Sequence, residues 1–132
     1  MTLVDTNVVI DVLARDPRWY SWSTRKLEEA AANGPTFVNE ITYAEVAHRV
    51  ANEGDLRSAL TSLGLSLARA SDRALFLAGR AYAAYRAAGG PRTSLLADFF
   101  IGAHAEAAVL PILTRDPRRY RTYFPSVTLV TP

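Results

Sequence analysis

Short apolar runs alternate with helical stretches along the whole chain of 132 residues, and this alternation constrains the fold more than any other feature. Strands are predicted at residues 3–4, 36–38, 65–67, 110–114 and 127–130. Strands that alternate with helices indicate an α/β fold, here an α/β/α sandwich with a mainly parallel central sheet flanked by helices. The length suits one domain over residues 1–132 and leaves no room for a second core.

Capping residues and helix breakers bound the predicted helices. Asn39 caps a helix that is expected to run to about residue 52, and Gly54-Asp55 is expected to separate it from the next one. Thr93 and Ser94 are predicted to cap a later helix. From such signals, helices are predicted at residues 8–15, 19–33, 40–52, 55–63, 72–88 and 95–107, with a short one after residue 117.

Composition excludes several kinds of site. The chain has no cysteine, so a metal ion would have to be held by oxygen atoms or by His48 and His104. The formal charge of +2 is compatible with nucleic acid but does not by itself argue for it. The first residues do not form a signal peptide, and no apolar run is long enough to cross a membrane. A cytoplasmic location is expected.

Asp98 lies in a segment, residues 95–103, that is apolar on every face of a helix. A helix that is apolar all round is expected to be buried. A lone carboxylate there would cost several kcal/mol unless it is paired, binds a cation or is neutral. Two interpretations stay open, a metal ligand or the partner of an arginine such as Arg80 or Arg92.

Two more acids, Asp5 and Asp116, come just after predicted strands. Ligands of a parallel sheet bind beyond the carboxyl ends of its strands, so both acids are expected at the functional edge. Each could equally be a helix cap. Glu45 is ambiguous too, because Thr42 and Glu45 have the spacing of a capping box and Glu40 lies nearer to a strand end.

Four segments together carry a family resemblance: Asp-Thr-Asn at 5–7, Asn-Glu-Ile-Thr-Tyr-Ala-Glu-Val at 39–46, Leu-Ala-Asp-Phe-Phe-Ile-Gly-Ala-His-Ala at 96–105, and Thr-Arg-Asp at 114–116. In this order the chain resembles the PIN-domain nucleases along essentially its whole length. It is most similar to the VapC-type toxins of VapBC toxin–antitoxin pairs. The resemblance matches the four acidic positions of the pattern to Asp5, Glu45 rather than Glu40, Asp98 and Asp116.

The resemblance implies a ribonuclease in which water activated by Mg²⁺, or by Mn²⁺ in its place, cleaves phosphodiester bonds and growth or translation stops. Four converging carboxylates need a cation, and an all-oxygen site suits these ions. Asp5 and Asp98 are expected to be the principal ligands, while Glu45 and Asp116 hold a second ion or orient its waters. The side chains expected to position these groups are Thr6, Asn7 and Thr114.

The resemblance also implies partners. Arg115, Arg118 and Arg119 surround Asp116 and are candidates for contacts with RNA phosphates. A small VapB-like antitoxin is expected to insert its tail into the acidic groove. A homodimer and a toxin–antitoxin hetero-oligomer are expected as well.

Three other functions are alternatives to this one. A phospho-acceptor module with Asp5 as nucleophile needs a nearby lysine, and Lys26, the one lysine of the chain, is predicted on an outer helix. A non-catalytic interaction domain would use its acids as caps and surface charges. A housekeeping RNA-processing PIN nuclease would share the chemistry but not the toxicity.

Overall fold

The structure is a computed structural model that describes residues 1–92 and 96–132. In this part of the chain the strands are β1 (Thr2–Val4), β2 (Thr36–Val38), β3 (Leu65–Leu67), β4 (Ile112–Leu113) and β5 (Leu129–Val130). The helices are α1 (Thr6–Leu13), α2 (Tyr20–Ala32), α3 (Glu40–Ala47), α4 (Glu53–Ser62), α5 (Asp72–Ala87), α6 (Leu96–Ala108) and α7 (Arg118–Tyr123). None of the helices in these ranges is long and apolar enough to cross a membrane.

The five strands form one sheet in the order β3-β2-β1-β4-β5, and every neighbouring pair is parallel. In the centre, Leu3 of β1 pairs with Phe37 on one side and with Ile112 on the other. The predicted α/β/α fold with a mainly parallel sheet is confirmed, and the sheet is parallel throughout the described residues.

Alternating strand residues supply two separate cores. Leu3 and Ile112 are fully buried against α5, α6 and α7, whereas Val4 and Leu113 are fully buried against α1 to α4. Successive side chains of a strand point to opposite faces, so each face of the central strands is covered by helices. This burial on both faces explains why the strands are short apolar runs rather than alternating polar and apolar ones.

The sheet order places a crevice at the carboxyl ends of β1 and β4. Strands β2 and β3 lie on one side of β1, and β4 and β5 lie on the other, so the winding reverses between β1 and β4. Such a reversal opens a crevice in which ligands bind. Asp5 directly follows β1, and its backbone N–H donates to the carbonyl of Leu113 at 3.0 Å. Thr114 directly follows β4, so it lies next to Asp5.

The boundary between α3 and α4 differs from the prediction. The third helix ends at Ala47, not near residue 52. Asn52 instead caps α4, because its Oδ1 accepts the Asp55 N–H at 2.9 Å. Gly54-Asp55 therefore lies in the first turn of α4, and the prediction that it separates two helices was wrong. An asparagine side chain is a favourable helix cap, and here it starts α4 before the predicted break.

The strand predicted at residues 110–114 covers only Ile112–Leu113, because Leu110 belongs to the turn that ends α6. Val109 has a left-handed backbone with φ of 54°, and the Leu110 N–H returns to the carbonyl of Ala105 at 2.9 Å. Pro111 has no N–H to pair. The predicted caps of α6, Thr93 and Ser94, lie outside the described residues.

Close packing of α6 against α7 positions the last helix beside the crevice. A Cβ at Gly102 of α6 would collide with the ring of Phe124, the residue that follows α7. Both residues are buried. Glycine at this point therefore lets α7, with its arginines, approach the amino-terminal half of α6, where Asp98 lies.

Candidate functional site

Asp5 lies at the bottom of the crevice and is 5% exposed. Its Oδ2 accepts three hydrogen bonds, from Thr114 Oγ1 at 2.8 Å, from Asn7 Nδ2 at 3.0 Å and from Tyr120 Oη at 3.0 Å. Asp5 stands at the N-cap position of α1, yet its carboxylate makes no capping hydrogen bond. The capping interpretation of its side chain was wrong. Asn7 and Thr114 thus both donate to Asp5, and their role in positioning metal ligands stays a prediction.

The carboxyl group of Asp5 carries unbalanced negative charge. Burial, with the nearby charge of Asp98, raises its pKa from 3.8 to about 6, although the hydrogen bonds from Thr114 and Tyr120 work against this rise. Desolvation and a like charge both penalise the ionised form. A cation in the crevice would remove that penalty.

Glu45 reaches the crevice from α3. The Thr6 hydroxyl donates to Glu45 Oε1 at 2.9 Å, so Thr6 orients this carboxylate, and Thr6 also lies 3.0 Å from the Thr42 hydroxyl. The cap of α3 is Asn39, whose Oδ1 accepts the N–H groups of residues 41 and 42. The capping box of Thr42 and Glu45 was therefore wrong.

Glu40 has a different role. Its Oε1 accepts the backbone N–H of Ala70 at 2.7 Å and so holds the loop that follows β3. Glu45 and Glu40 thus project from α3 to different places, one into the crevice and one onto a loop.

Three of the predicted acids line one cavity of about 300 Å³ at the crevice. They are Asp5, Glu45 and Asp98, and the other lining residues are Thr6, Asn7, Ile10, Arg49 and Arg115. A second cavity of about 240 Å³ lies beside it and is lined by Asp98, Asp116, Arg118 and Arg119. Asp98 belongs to both, and the two neighbouring cavities, which the four acids line between them, are together called the groove.

Asp98 is less buried than predicted. Its side chain is 34% exposed and accepts a hydrogen bond from Arg119 at 2.9 Å. Neither Arg80 nor Arg92 is its partner. The prediction of a fully buried acid was wrong because the first turn of α6 emerges at the open edge of the sheet, where Asp98 borders both cavities rather than a packed layer.

Asp116 is paired as well. Arg118 donates to both of its carboxylate oxygens, from Nε at 2.9 Å and from a terminal nitrogen at 2.9 Å. This bidentate pairing lowers the pKa of Asp116. The Asp116 N–H donates to Thr114 Oγ1 at 3.1 Å, which ties this acid to the same threonine that holds Asp5.

The three arginines that were predicted to contact RNA each pair with a different acid. Arg118 and Arg119 face the groove but are engaged by Asp116 and Asp98. Arg115 lines the first cavity, and its Nε donates to Asp11, an acid of α1, at 2.8 Å. Lys26 lies on α2 and donates to Glu29 of the same helix at 2.7 Å, so a phospho-acceptor mechanism at Asp5 would lack its lysine.

Residues 2–125 match the sequence model of the PIN domain. The match covers nearly the whole chain and includes the acids of the groove. The chain belongs to the PIN-domain family. PIN domains are nucleases that generally use divalent metal ions, so this PIN domain is assigned as a hydrolase that acts on nucleic acids.

Solved structures show the same PIN fold over almost the whole chain. VapBC2 from Rickettsia felis, bound to a DNA fragment from its promoter, is 19% identical with a TM-score of 0.73, and the match covers 98% of this chain and 97% of that one. VapBC-1 from nontypeable Haemophilus influenzae is 16% identical with a TM-score of 0.72, covering 98% and 96%. A toxin–antitoxin complex from Klebsiella pneumoniae is 24% identical with a TM-score of 0.63, covering 100% and 98%. No curated protein matches the sequence significantly.

The groove of this PIN domain fits a hard divalent cation by its donors. Its acids are all oxygen ligands, which Mg²⁺ and Mn²⁺ prefer, and a cation would favour the ionised form of Asp5, which burial and the charge of Asp98 disfavour. Among the described residues, 1–92 and 96–132, no three histidine or acidic side chains lie close enough together to bind one ion. Two of the four acids are turned to Arg118 and Arg119 instead. The assignment of Asp5, Glu45, Asp98 and Asp116 as ligands stays a prediction.

Two residues of the site escaped the sequence analysis. Tyr120 is 1% exposed and donates to Asp5 from 115 positions away. The signal for it was weak, a single aromatic residue four positions after Asp116. Asp11 had a clearer signal, because it is an acid in the apolar stretch of α1, the same kind of anomaly that identified Asp98.

Proposed function

We propose that this chain, as one PIN domain over residues 1–132, is a metal-dependent endoribonuclease and the toxin of a type II toxin–antitoxin pair. The observation that carries the proposal is a buried acid, Asp5, that lines the same cavity as Glu45 and Asp98 at the sheet's carboxyl edge. An acid with this burial and a raised pKa is typical of a functional site.

Asp5 and Asp98 would be the principal ligands of Mg²⁺, or of Mn²⁺ in its place, and Glu45 and Asp116 would hold a second ion or orient its waters. A bound divalent ion would lower the pKa of a water molecule and stabilise charge on the phosphoryl oxygens. The protein's own part is to hold the ligands. Asn7, Thr114 and Tyr120 fix one oxygen of Asp5, and Thr6 fixes Glu45.

An antitoxin tail that carries an arginine or a lysine is the partner proposed for the groove. Arg118 and Arg119 already show that guanidinium groups fit its acids, with N–O distances of 2.9 Å in both pairs. A basic side chain of the antitoxin would make the same contacts and keep a metal ion out. The solved relatives that are toxin–antitoxin complexes support such a partner.

A homodimer, a toxin–antitoxin hetero-oligomer and a cytoplasmic location complete the proposal. Leu75 and Phe76 on α5 are 46% and 60% exposed, and adjacent large apolar residues at the surface are the kind that a second copy covers. Sedimentation at high micromolar concentration should show the dimer. A strict monomer would refute the dimer and leave the chemistry untouched.

Growth and RNA cleavage test the main proposal together. Induced expression in a bacterial host should arrest growth, and Asp5→Asn or Asp98→Asn should relieve the arrest with the protein still soluble. The purified protein should cleave RNA with Mg²⁺ or Mn²⁺ and lose this activity in EDTA. Full toxicity of both variants at equal expression would contradict the nuclease assignment. Cleavage without growth arrest would favour a housekeeping RNA-processing enzyme.

A further inference from the structure

Asp11 is a buried acid that the proposed chemistry does not use. Its side chain is 1% exposed. A carboxylate at such a depth is retained when charged or polar groups compensate it. Two donors do so at 2.8 Å: the hydroxyl of Ser23, which is itself fully buried on α2, and Nε of Arg115. Asp11 thereby connects α1 and α2 to the loop that follows β4.

Arg115 is held in place by three contacts. Besides the bond from Nε to Asp11, its guanidinium carbon lies 5.6 Å from the centre of the Trp19 ring, within the range of a cation–π contact. Its backbone N–H donates to Asn7 Oδ1 at 3.2 Å. An arginine that is fixed in this way loses little further conformational freedom when it binds a ligand.

The fixed guanidinium keeps donors for a ligand. In the part of the chain that the structure describes, the hydrogen bonds of the Arg115 side chain use Nε, and the group carries further N–H donors on its terminal nitrogens. The side chain is 30% exposed and lines the cavity of Asp5, Glu45 and Asp98. It therefore differs from Arg118 and Arg119, whose guanidinium groups are bound to acids of the groove.

We propose that Arg115 binds a backbone phosphate of the RNA strand at the acidic cavity and that Asp11 is the residue that positions it. The inference rests on the proposed ribonuclease function. A guanidinium can take two phosphate oxygens at once, which a cavity lined with carboxylates otherwise repels. Because Asp11 binds Nε, the terminal nitrogens of Arg115, which lines the same cavity as Asp5, are left for the phosphate.

The test measures binding of a labelled single-stranded RNA in EDTA, where no cleavage occurs, from about 50 to 200 mM salt. Arg115→Ala should weaken binding about tenfold and reduce the slope of log K against log salt by about 0.7, the effect of one lost contact to a single-strand phosphate. Arg73→Ala on α5 removes the same charge from an exposed position that lines neither cavity of the groove, and it serves as the control. It should change neither quantity.

Two further variants separate binding from folding. Because Arg115→Ala strands the Asp11 carboxylate, the double variant Asp11→Asn/Arg115→Ala is measured with it and should show the same loss. Asp11→Asn alone keeps the arginine charge, so it should raise KM for RNA cleavage several-fold and leave the salt slope and kcat nearly unchanged.

Wild-type affinity and slope in the double variant would overturn the role of Arg115. An unchanged KM in Asp11→Asn would overturn the positioning role of Asp11. Cleavage by the wild-type protein in Mn²⁺, measured on the same preparation, distinguishes a failure of this inference from a failure of the proposed function. If the wild type cleaves RNA and the double variant binds as well as the control, this inference alone fails. If the wild type neither binds nor cleaves RNA, the proposed function fails and this inference fails with it.

Discussion

The hydroxyl of Tyr120 donates a hydrogen bond to Oδ2 of Asp5 at 3.0 Å, and both side chains are buried. Burial and the negative charges of Asp5 and Asp98 raise the pKa of the Tyr120 phenol well above its ordinary value. The phenol therefore stays protonated and remains a donor at neutral pH. Asp5 is therefore held from α7 as well as from α1 and from the residue that follows β4.

Tyr120→Phe should separate the role of this hydroxyl from that of the ring. The ring still fills its place in the core, and Thr114 and Asn7 still bind Asp5, so the free energy of unfolding should fall by about 1 kcal/mol. The cleavage rate should fall about tenfold, with a higher Mn²⁺ concentration needed for half-maximal rate. Tyr123→Phe on the same helix is the control. A variant whose rate and Mn²⁺ dependence match those of the wild type would show that the hydroxyl has no part in the site.

The metal-free protein should lose stability as the pH rises from about 4 to about 6. Asp5 binds its proton more tightly in the folded chain, where its pKa is about 6, than at its ordinary value of 3.8. The folded state therefore holds more protons in this window, and raising the pH removes a contribution on the order of 3 kcal/mol. The loss is nearly complete at about pH 7, one unit above the pKa of the folded chain.

Urea unfolding in EDTA across this window, for wild type and Asp5→Asn, measures the effect. The variant lacks the titrating group, so the difference between the two profiles isolates Asp5, and the variant should be the more stable protein above pH 6. Mn²⁺ should restore wild-type stability there. Parallel profiles for the two proteins would contradict the raised pKa.

Glu45→Gln should lower cleavage and Glu40→Gln should lower stability. Glu45→Gln should lower cleavage by orders of magnitude and leave the melting temperature nearly unchanged, since glutamine still accepts from Thr6. Glu40→Gln should retain cleavage and lose about 1 kcal/mol of stability, because the charged acceptor of the Ala70 N–H becomes a neutral one. Rates and melts on both variants test the assignment, and equal loss of cleavage in the two would refute it.

Arg119→Ala should strengthen the binding of Mn²⁺ in the absence of RNA. Arg119 and Asp98 are 40% and 34% exposed, so their ion pair contributes at most about 1 kcal/mol to stability. Its removal frees an expected ligand, and the Mn²⁺ concentration that gives half of the thermal shift should fall several-fold. Arg121→Ala, on the same helix, is the control. A shift that is equal in both variants would show that Arg119 does not compete with the cation.

Much of the fold could be predicted because its signals are local. Strand-like runs, caps and helix breakers act over a few residues, and their alternation gave the α/β class and the order of the elements. Two acids, Asp5 and Asp116, could be placed at the functional edge because each directly follows a strand, and parallel strands end at the same edge. The boundary between α3 and α4 was predicted wrongly, because Asn52 caps α4 and Gly54-Asp55 lies inside its first turn.

The contacts that make a site were decided by tertiary structure. Asp5 and Tyr120 are 115 positions apart and Asp11 and Arg115 are 104 apart, and no local pattern fixes which side chains meet over such distances. The same holds for Asp98, which the periodicity of α6 predicted as buried. Its exposure depends on where the helix ends relative to the sheet edge. The sequence by itself determined which acids follow which strands. The packing of α7 and α1 at the carboxyl edge of the sheet decided which carboxylate oxygens of these acids accept from tyrosine, threonine or arginine. Hydrogen bonds form only between groups that the fold brings within about 3 Å.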